Sequence, residues 1–260
     1  MGIGDSIMAT AWARKAKQEN PDSYVFLGNG KVCEWDDVFE NNPNISHPKW
    51  VAKAVGEHKA IFVPHHTGNR PYVSYLDGVS VEWNREHRAI PGDIFLTEKE
   101  RQWANDECGK GYILIEPHIK GTFGGNKAWI WDRWVELVER LKDQDVAQNY
   151  PRAKKALPGA RTLNTTSIRK LLASVANARL VITTDGVLHH AAAALGVPAV
   201  VIWGARIPPD ILGYQDHENI YTGNGEYCGL CVPCKHCSEG MKRVTVDMVE
   251  EAVRRILAKH

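Results

Sequence analysis

The sequence predicts an α/β protein made of two Rossmann-like domains that face a cleft, the N-terminal one reduced. Three observations carry this. Short apolar runs of strand length alternate with stretches of helical period in two successive series, joined near residues 97–110. Within the second series, residues 180–204 read as a strand, a turn at Asp185-Gly186, a short helix and a second apolar strand, which is a parallel βαβ unit. A chain of 260 residues with 43% hydrophobic side chains is long enough to build two small cores.

In the first series, Ile7, Met8, Ala11, Trp12 and Ala16 recur at helical spacing and predict a helix over 6–18, which Asn20-Pro21 stops. Strands are expected at 24–27, 31–34 and 60–63, separated by turn-rich stretches such as Gly28-Asn29-Gly30. Residues 65–92 are rich in aromatic, arginine and histidine side chains without a clear period, and read as loops and short elements along the cleft. A charged helical stretch at 97–108 leads to a strand at 112–116, which ends in Glu116-Pro117-His118. A glycine-rich loop (Gly121, Gly124, Gly125) then reaches Asn126-Lys127, ahead of an amphipathic helix with Trp131, Trp134, Val135, Val138 and Leu141 on one face. A strand near 145–149, a Pro/Lys-rich loop at 151–159 and a helix at 167–176 precede the βαβ unit. The last helix, at 246–258, places Met248, Val249, Ala252, Val253, Ile256 and Leu257 on one stripe. The expected domains are therefore 1–100 and 108–245, the second carrying a cysteine-rich loop at 228–237, with a C-terminal helix in 246–260.

Charge excludes some partners. Lys+Arg 32 against Asp+Glu 31 gives a net charge of +1, so no global field favours nucleic acid or an anionic membrane. No apolar run approaches the ~18 residues of a membrane span, and no signal pattern opens the chain, so a cytoplasmic protein is expected.

Three groups of residues carry candidate chemistry. The Asp185-Gly186 turn aims helix N-terminal amides beyond the strand ends, a ready anion site, and a residue without Cβ at Gly186 allows close backbone approach to a diphosphate. His189, in the first turn of that helix, is either a donor to a phosphate oxygen or a buried histidine bonded to backbone. Lys127 stands before a helix, where a cation meets phosphate or simply faces solvent, and Glu116 and His118 end a parallel strand, at the edge where open α/β sheets bind base or ribose. Cys228, Cys231, Cys234 and Cys237 follow one another at three-residue intervals, a density that suits a structural zinc ion first, an iron–sulfur cluster less well, or four unliganded thiols.

Gly-Ile-Gly-Asp-Ser-Ile-Met-Ala-Thr at 2–10, Lys-Ala-Trp at 127–129 and Asp-Gly-Val-Leu-His-His-Ala-Ala-Ala-Ala-Leu-Gly-Val-Pro at 185–198, in that order, resemble glycosyltransferase family 9, the family of the bacterial heptosyltransferases. Thr184-Asp185-Gly186 stands where the family pattern reads Asp-Thr-Gly, and the apolar strand that normally precedes Gly-Asp is missing or supplied differently. The resemblance implies the GT-B architecture and inverting transfer without a catalytic metal. A nucleotide-sugar donor, ADP-heptose by family default, would lie mainly on the C-terminal half and an acceptor on the N-terminal half. Gly4 and Asp5 match the Gly-Asp position, with Asp5 as general base; the alternative from sequence is that Asp5 caps the first helix. Lys127, Asp185, Gly186 and His189 fall on the donor blocks. The acceptor stays open between a saccharide and a nucleic acid, since Trp35, Trp50, His65, Arg70, Trp83 and Arg85 suit stacking on either. Two other functions remain open: a nucleotide-sugar epimerase or hydrolase of the same fold, and a non-catalytic nucleotide- or metal-binding relative.

Overall fold

The computed structural model describes residues 2–64, 72–76, 80–119, 125–150 and 155–259. His65, Arg70, Gly121, Gly124 and residues 151–154 of the Pro/Lys-rich loop lie outside these residues.

Helix α1 (Ile3–Glu19) starts earlier than the apolar spacing predicts, with Gly2 at its N-cap and Asp5 already inside the first turn. Asp5 therefore does not cap the helix; the N-cap carries no side-chain bond, and Asp5 lies in the first turn, at the positive end of the helix dipole. Strand β1 (Tyr24–Leu27) pairs in parallel with β2 (Ala60–Val63), and helix α2 (Val51–Gly56) precedes β2. The strand expected at 31–34 does not form. Gly28 adopts φ +136, where a Cβ would meet the Val32 carbonyl oxygen at 2.0 Å, so the chain folds back after a single Gly28–Cys33 bridge. Beyond it, an antiparallel hairpin of β3 (Tyr72–Leu76) and β4 (Ser80–Trp83) occupies the stretch without period.

Helix α3 (Glu98–Cys108) opens with a capping box between Thr97 and Glu100. From there the chain builds a six-stranded, all-parallel sheet from β5 (Ile113–Glu116), β6 (Val146–Tyr150), β7 (Arg161–Asn164), β8 (Leu180–Thr184), β9 (Ala199–Trp203) and β10 (Glu218–Tyr221), in the order β10-β9-β8-β5-β6-β7. Strands β7 and β10 escape the sequence reading because they are edge strands, short and largely polar. The helices of this half are α4 (Trp131–Arg140), α5 (Ile168–Asn177), α6 (Val187–Leu195), the short α7 (Pro209–Leu212), α8 (Lys235–Arg243) and α9 (Val246–Leu257).

The central strands are buried on both faces, as a parallel sheet requires. On one face Ile113, Ile115, Ile182 and Val200 pack against Trp134, Leu137, Val138 and Leu141 of the α4 region and Val249, Val253 and Ile256 of α9. Met248 leaves the predicted stripe and is 37% exposed, since it lies on the solvent side of α9. On the other face Leu114, Val181 and Val201 meet α5 and α6, and the same cluster continues into Ile7, Val25 and Phe39 of the N-terminal half. Each such side chain, fully buried, contributes about 1.5–3 kcal/mol of transfer free energy. The halves are further latched by Arg169 on α5, which donates to Glu100 Oε1 (2.6 Å) and to the Phe95 carbonyl (2.6 Å). Among the described residues, no helix is long and apolar enough to cross a membrane.

Candidate active site

The strand order reverses direction between β5 and β8: from β5 the chain moves outward through β6 and β7, and from β8 outward through β9 and β10. In open α/β sheets the crevice beyond the carboxyl ends at such a switch point is where ligands bind. Lys127 follows β5 and Asp185 follows β8, so the topology brings both to this crevice.

Lys127, in the turn Gly125–Lys127, forms an ion pair with Asp185 Oδ2. The lysine side chain keeps 21% of its surface exposed, while that of Asp185 keeps 6%. Burial pushes the Asp185 carboxyl up, but the Lys127 ammonium and the neighbouring His189 and His190 outweigh this and hold it well below the usual carboxylate range. Asp185 thus faces inward and fixes Lys127, rather than offering its carboxylate to a ligand. Helix α6 begins just beyond, with Gly186 as N-cap and no side-chain cap, which leaves its first amides for an anion. The backbone itself does not require glycine at position 186. Its φ of 179 is ordinary extended backbone, and an added Cβ would meet only the Thr184 carbonyl oxygen, at 3.7 Å.

Beneath the turn lies a packed histidine layer. His189 is fully buried, its Nδ1 3.7 Å from Asp185 Oδ1 and its ring edge-on to Trp203 at 5.2 Å. The ring is thus turned toward Asp185 and away from solvent, and neither ring nitrogen makes the hydrogen bond to backbone that the second sequence reading expects. His190 contacts Tyr214 Oη through Nδ1 at 2.8 Å, and His217 sits 5.5 Å from the His189 ring. Burial lowers all three histidines, His217 to about 3, so the layer is neutral at pH 7 around one carboxylate and one ammonium.

The N-terminal half enters at this layer. A Cβ on Gly4 would come within 2.8 Å of His190 Cδ2, so the first turn of α1 rests directly on the His190 ring. Asp5, the next residue, is half-buried in that turn. Ser6 Oγ donates to Asp36 Oδ2 at 2.8 Å, which ties the first turn of α1 to the turn at Asp37–Phe39. Asp36 also caps that turn by accepting from the Val38 amide.

Glu116 and His118 stand at the carboxyl end of β5 on the β6 side. Glu116 accepts from the His118 amide (3.0 Å) and from Asn149 Nδ2 (3.2 Å), so its oxygens are engaged within the protein. His118 keeps its ring 5.6 Å from Trp131 and 3.4 Å from Gln148 Nε2.

The cysteine loop lies against the same crevice. Cys228 Sγ is 3.2 Å from Cys237 Sγ and 3.7 Å from Cys234 Sγ, and His236 brings a ring nitrogen into the group formed by Cys228 and Cys237. Cys231 is buried and turns its sulfur to Arg206 Nη2 at 3.6 Å, so three of the four predicted thiols converge. The hydrogen bond between Cys228 and Cys237 draws the Cys228 thiol down and pushes Cys237 up. Asn126, beside Lys127, donates to the Leu230 carbonyl (2.8 Å) and accepts from the Cys234 amide (2.8 Å), while the Val81 amide of the hairpin donates to the Gly229 carbonyl (2.9 Å).

The chain is similar to proteins of known family and fold. The family model described as glycosyltransferase family 9 (heptosyltransferase) matches residues 73–242. Lipopolysaccharide heptosyltransferase 1 of Pseudomonas aeruginosa is 26% identical over 152 residues, 54% of this chain. The match spans 41% of that relative's length. Among solved structures, the chain is similar to E. coli ADP-heptose lipopolysaccharide heptosyltransferase II (TM-score 0.66, 14% identity, 99% of this chain and 96% of that one). It is also similar to a family 9 glycosyltransferase of Veillonella parvula (TM-score 0.66, 15% identity, 100% and 96%). A third is the iron-containing dodecameric glycosyltransferase TibC of enterotoxigenic E. coli (TM-score 0.68, 16% identity, 100% and 78%). At these identities the structural likeness concerns the fold, which is GT-B.

Proposed function

The chain belongs to glycosyltransferase family 9, and on that premise we propose that it moves a sugar from a nucleoside-diphosphate donor, with ADP-heptose as the first candidate, to an acceptor hydroxyl with inversion. The observation that supports this reading is the seating of Gly4 on His190, which lays the first turn of α1, with Asp5 next in the chain, against α6, the helix that begins beside the Lys127–Asp185 pair. In the reading, the Asp5 carboxylate takes the proton from the acceptor hydroxyl as its oxygen bonds to the anomeric carbon. The bond from that carbon to the donor phosphate breaks, and the nucleoside diphosphate leaves with the electron pair. Lys127, held by Asp185, and the free amides of Val187 and Leu188 stabilise the charge that develops on it. With a cation and a helix terminus in place, the transfer needs no catalytic metal. Glu116 and His118, at the same sheet edge, are assigned to the nucleoside end of the donor. The choice of donor is supported by the similar fold of TibC in its complex with ADP-D-β-D-heptose (TM-score 0.64).

The reading is tested by titrating the full chain calorimetrically with ADP and with a panel of other nucleoside diphosphates and their sugars. ADP and ADP-heptose are expected to bind competitively, and Lys127→Ala to weaken both. Failure of every nucleotide to bind would overturn the assignment.

A further inference from the structure

The cysteine loop holds a cluster that the transfer chemistry does not use. Four sulfurs around a tetrahedral ion with ~2.3 Å bonds lie about 3.8 Å apart, whereas a disulfide needs ~2.05 Å. The Cys228–Cys234 separation of 3.7 Å matches the first geometry, and the Cys228–Cys237 separation of 3.2 Å lies nearer to it than to a disulfide. The exposed His236 brings a ring nitrogen within 4.8 Å of the Cys228 and Cys237 sulfurs. Two backbone amides already aim at the sulfurs: Leu230 N–H at Cys228 Sγ (3.4 Å) and Cys237 N–H at Cys234 Sγ (3.5 Å). Such N–H donors orient thiolates and stabilise their charge in metal sites. Cys231, by contrast, is turned to Arg206, whose guanidinium also covers the Trp83 ring at 5.3 Å.

We propose that Cys228, Cys234, Cys237 and His236 form a tetrahedral site for one zinc ion, with Cys231 outside it as the partner of Arg206. Binding would release the thiol protons to solvent and leave a Cys₃His site of structural type, without an open position. Its place in the fold gives it a purpose. The loop it closes holds Asn126 through the Leu230 carbonyl and the Cys234 amide, binds Ala205 through the Cys228 amide (3.2 Å), and carries the β3–β4 hairpin through Gly229. The ion would therefore act as a clamp on the segment that presents Lys127 and on the hairpin beside it.

The test measures zinc content of the purified full chain by elemental analysis, with the absorption spectrum of the cobalt-substituted protein as a count of thiolate ligands. About one zinc per chain is expected in the unmodified protein and in Cys231→Ser, and little in Cys237→Ser. Because Cys237 is buried and its replacement can impair folding, His236→Ala, at an exposed position, serves as the second variant. It is expected to fold, to yield zinc to a chelator at least about tenfold more readily, and to alter the cobalt spectrum. Any of three results would overturn the proposal: a metal-free native protein, equal zinc loss in Cys231→Ser and Cys237→Ser, or an intact mass showing a Cys228–Cys237 disulfide. These readouts do not depend on turnover, so they stand or fall apart from the transferase reading.

Discussion

Replacing Lys127 with alanine leaves Asp185 as a buried carboxylate without its cation. Asp185 keeps 6% of its side-chain surface exposed, and the remaining neighbours are histidines that burial holds neutral. Removing one partner of a buried ion pair costs about 3–5 kcal/mol. The lower end applies here, because Lys127 is 21% exposed and water can partly fill the space it leaves. For a chain of this size, about 3 kcal/mol corresponds to a fall in melting temperature of about 6–12 °C. The pH dependence has a definite sign. In the native protein the Asp185 carboxyl is depressed, so its contribution to stability is present above the ordinary carboxylate value and is lost as pH falls through the folded one. Without Lys127, burial dominates, and the carboxyl takes up a proton at higher pH than in the native protein. The gap between the two proteins is therefore widest at neutral pH, narrows as pH falls, and closes only below the lowered value of the native carboxyl. Thermal melts of Lys127→Ala, Asp185→Asn and the double variant across pH 3–8 measure this. The double variant should recover most of the stability and none of the ADP binding. A loss under about 2 °C at pH 7, or no recovery in the double variant, would refute the buried-pair account.

Gly186→Ala should melt within about 2 °C of the native protein, since the new Cβ meets only the Thr184 carbonyl at 3.7 Å, yet bind ADP at least about tenfold more weakly by calorimetry. Glu100, held below the usual carboxylate range by the Arg169 guanidinium, stabilises the fold above the ordinary carboxylate value and loses that contribution as pH falls through its lowered one. Melts of Glu100→Gln should thus show a smaller decline in melting temperature between pH 5 and pH 3 than the native protein.

The parts of the fold that could be read in the sequence are those whose burial is one-sided or complete. Strands β1, β2, β5, β8 and β9 and helices α4, α5 and α9 leave apolar runs or stripes that only a core explains. Strand β7, with Leu163 as its one buried residue, leaves no such mark, because an edge strand draws its partners from the backbone. Residues 31–34 carry strand-like chemistry but are overruled by Gly28, whose φ turns the chain before a ladder can form. At the site, the sequence supplies the anion-binding turn and the three blocks, since those are local. It does not reveal that Asp185 belongs to Lys127 or that His190 carries the α1 helix, because each is a contact between residues far apart in the chain. The cysteine spacing likewise announces a cluster without saying that Cys231 turns to Arg206 and that His236 approaches Cys228.

The central claim is that Asp5 and the Lys127–Asp185 crevice form one site across the two halves. It is tested most directly by ADP release from ADP-heptose in the presence of acceptor, for the native chain and Asp5→Asn, with donor affinity measured alongside. The account predicts that Asp5→Asn binds ADP-heptose with unchanged affinity and turns over at least about a hundredfold more slowly. Turnover that survives the substitution, or donor affinity that falls with it, would contradict the claim.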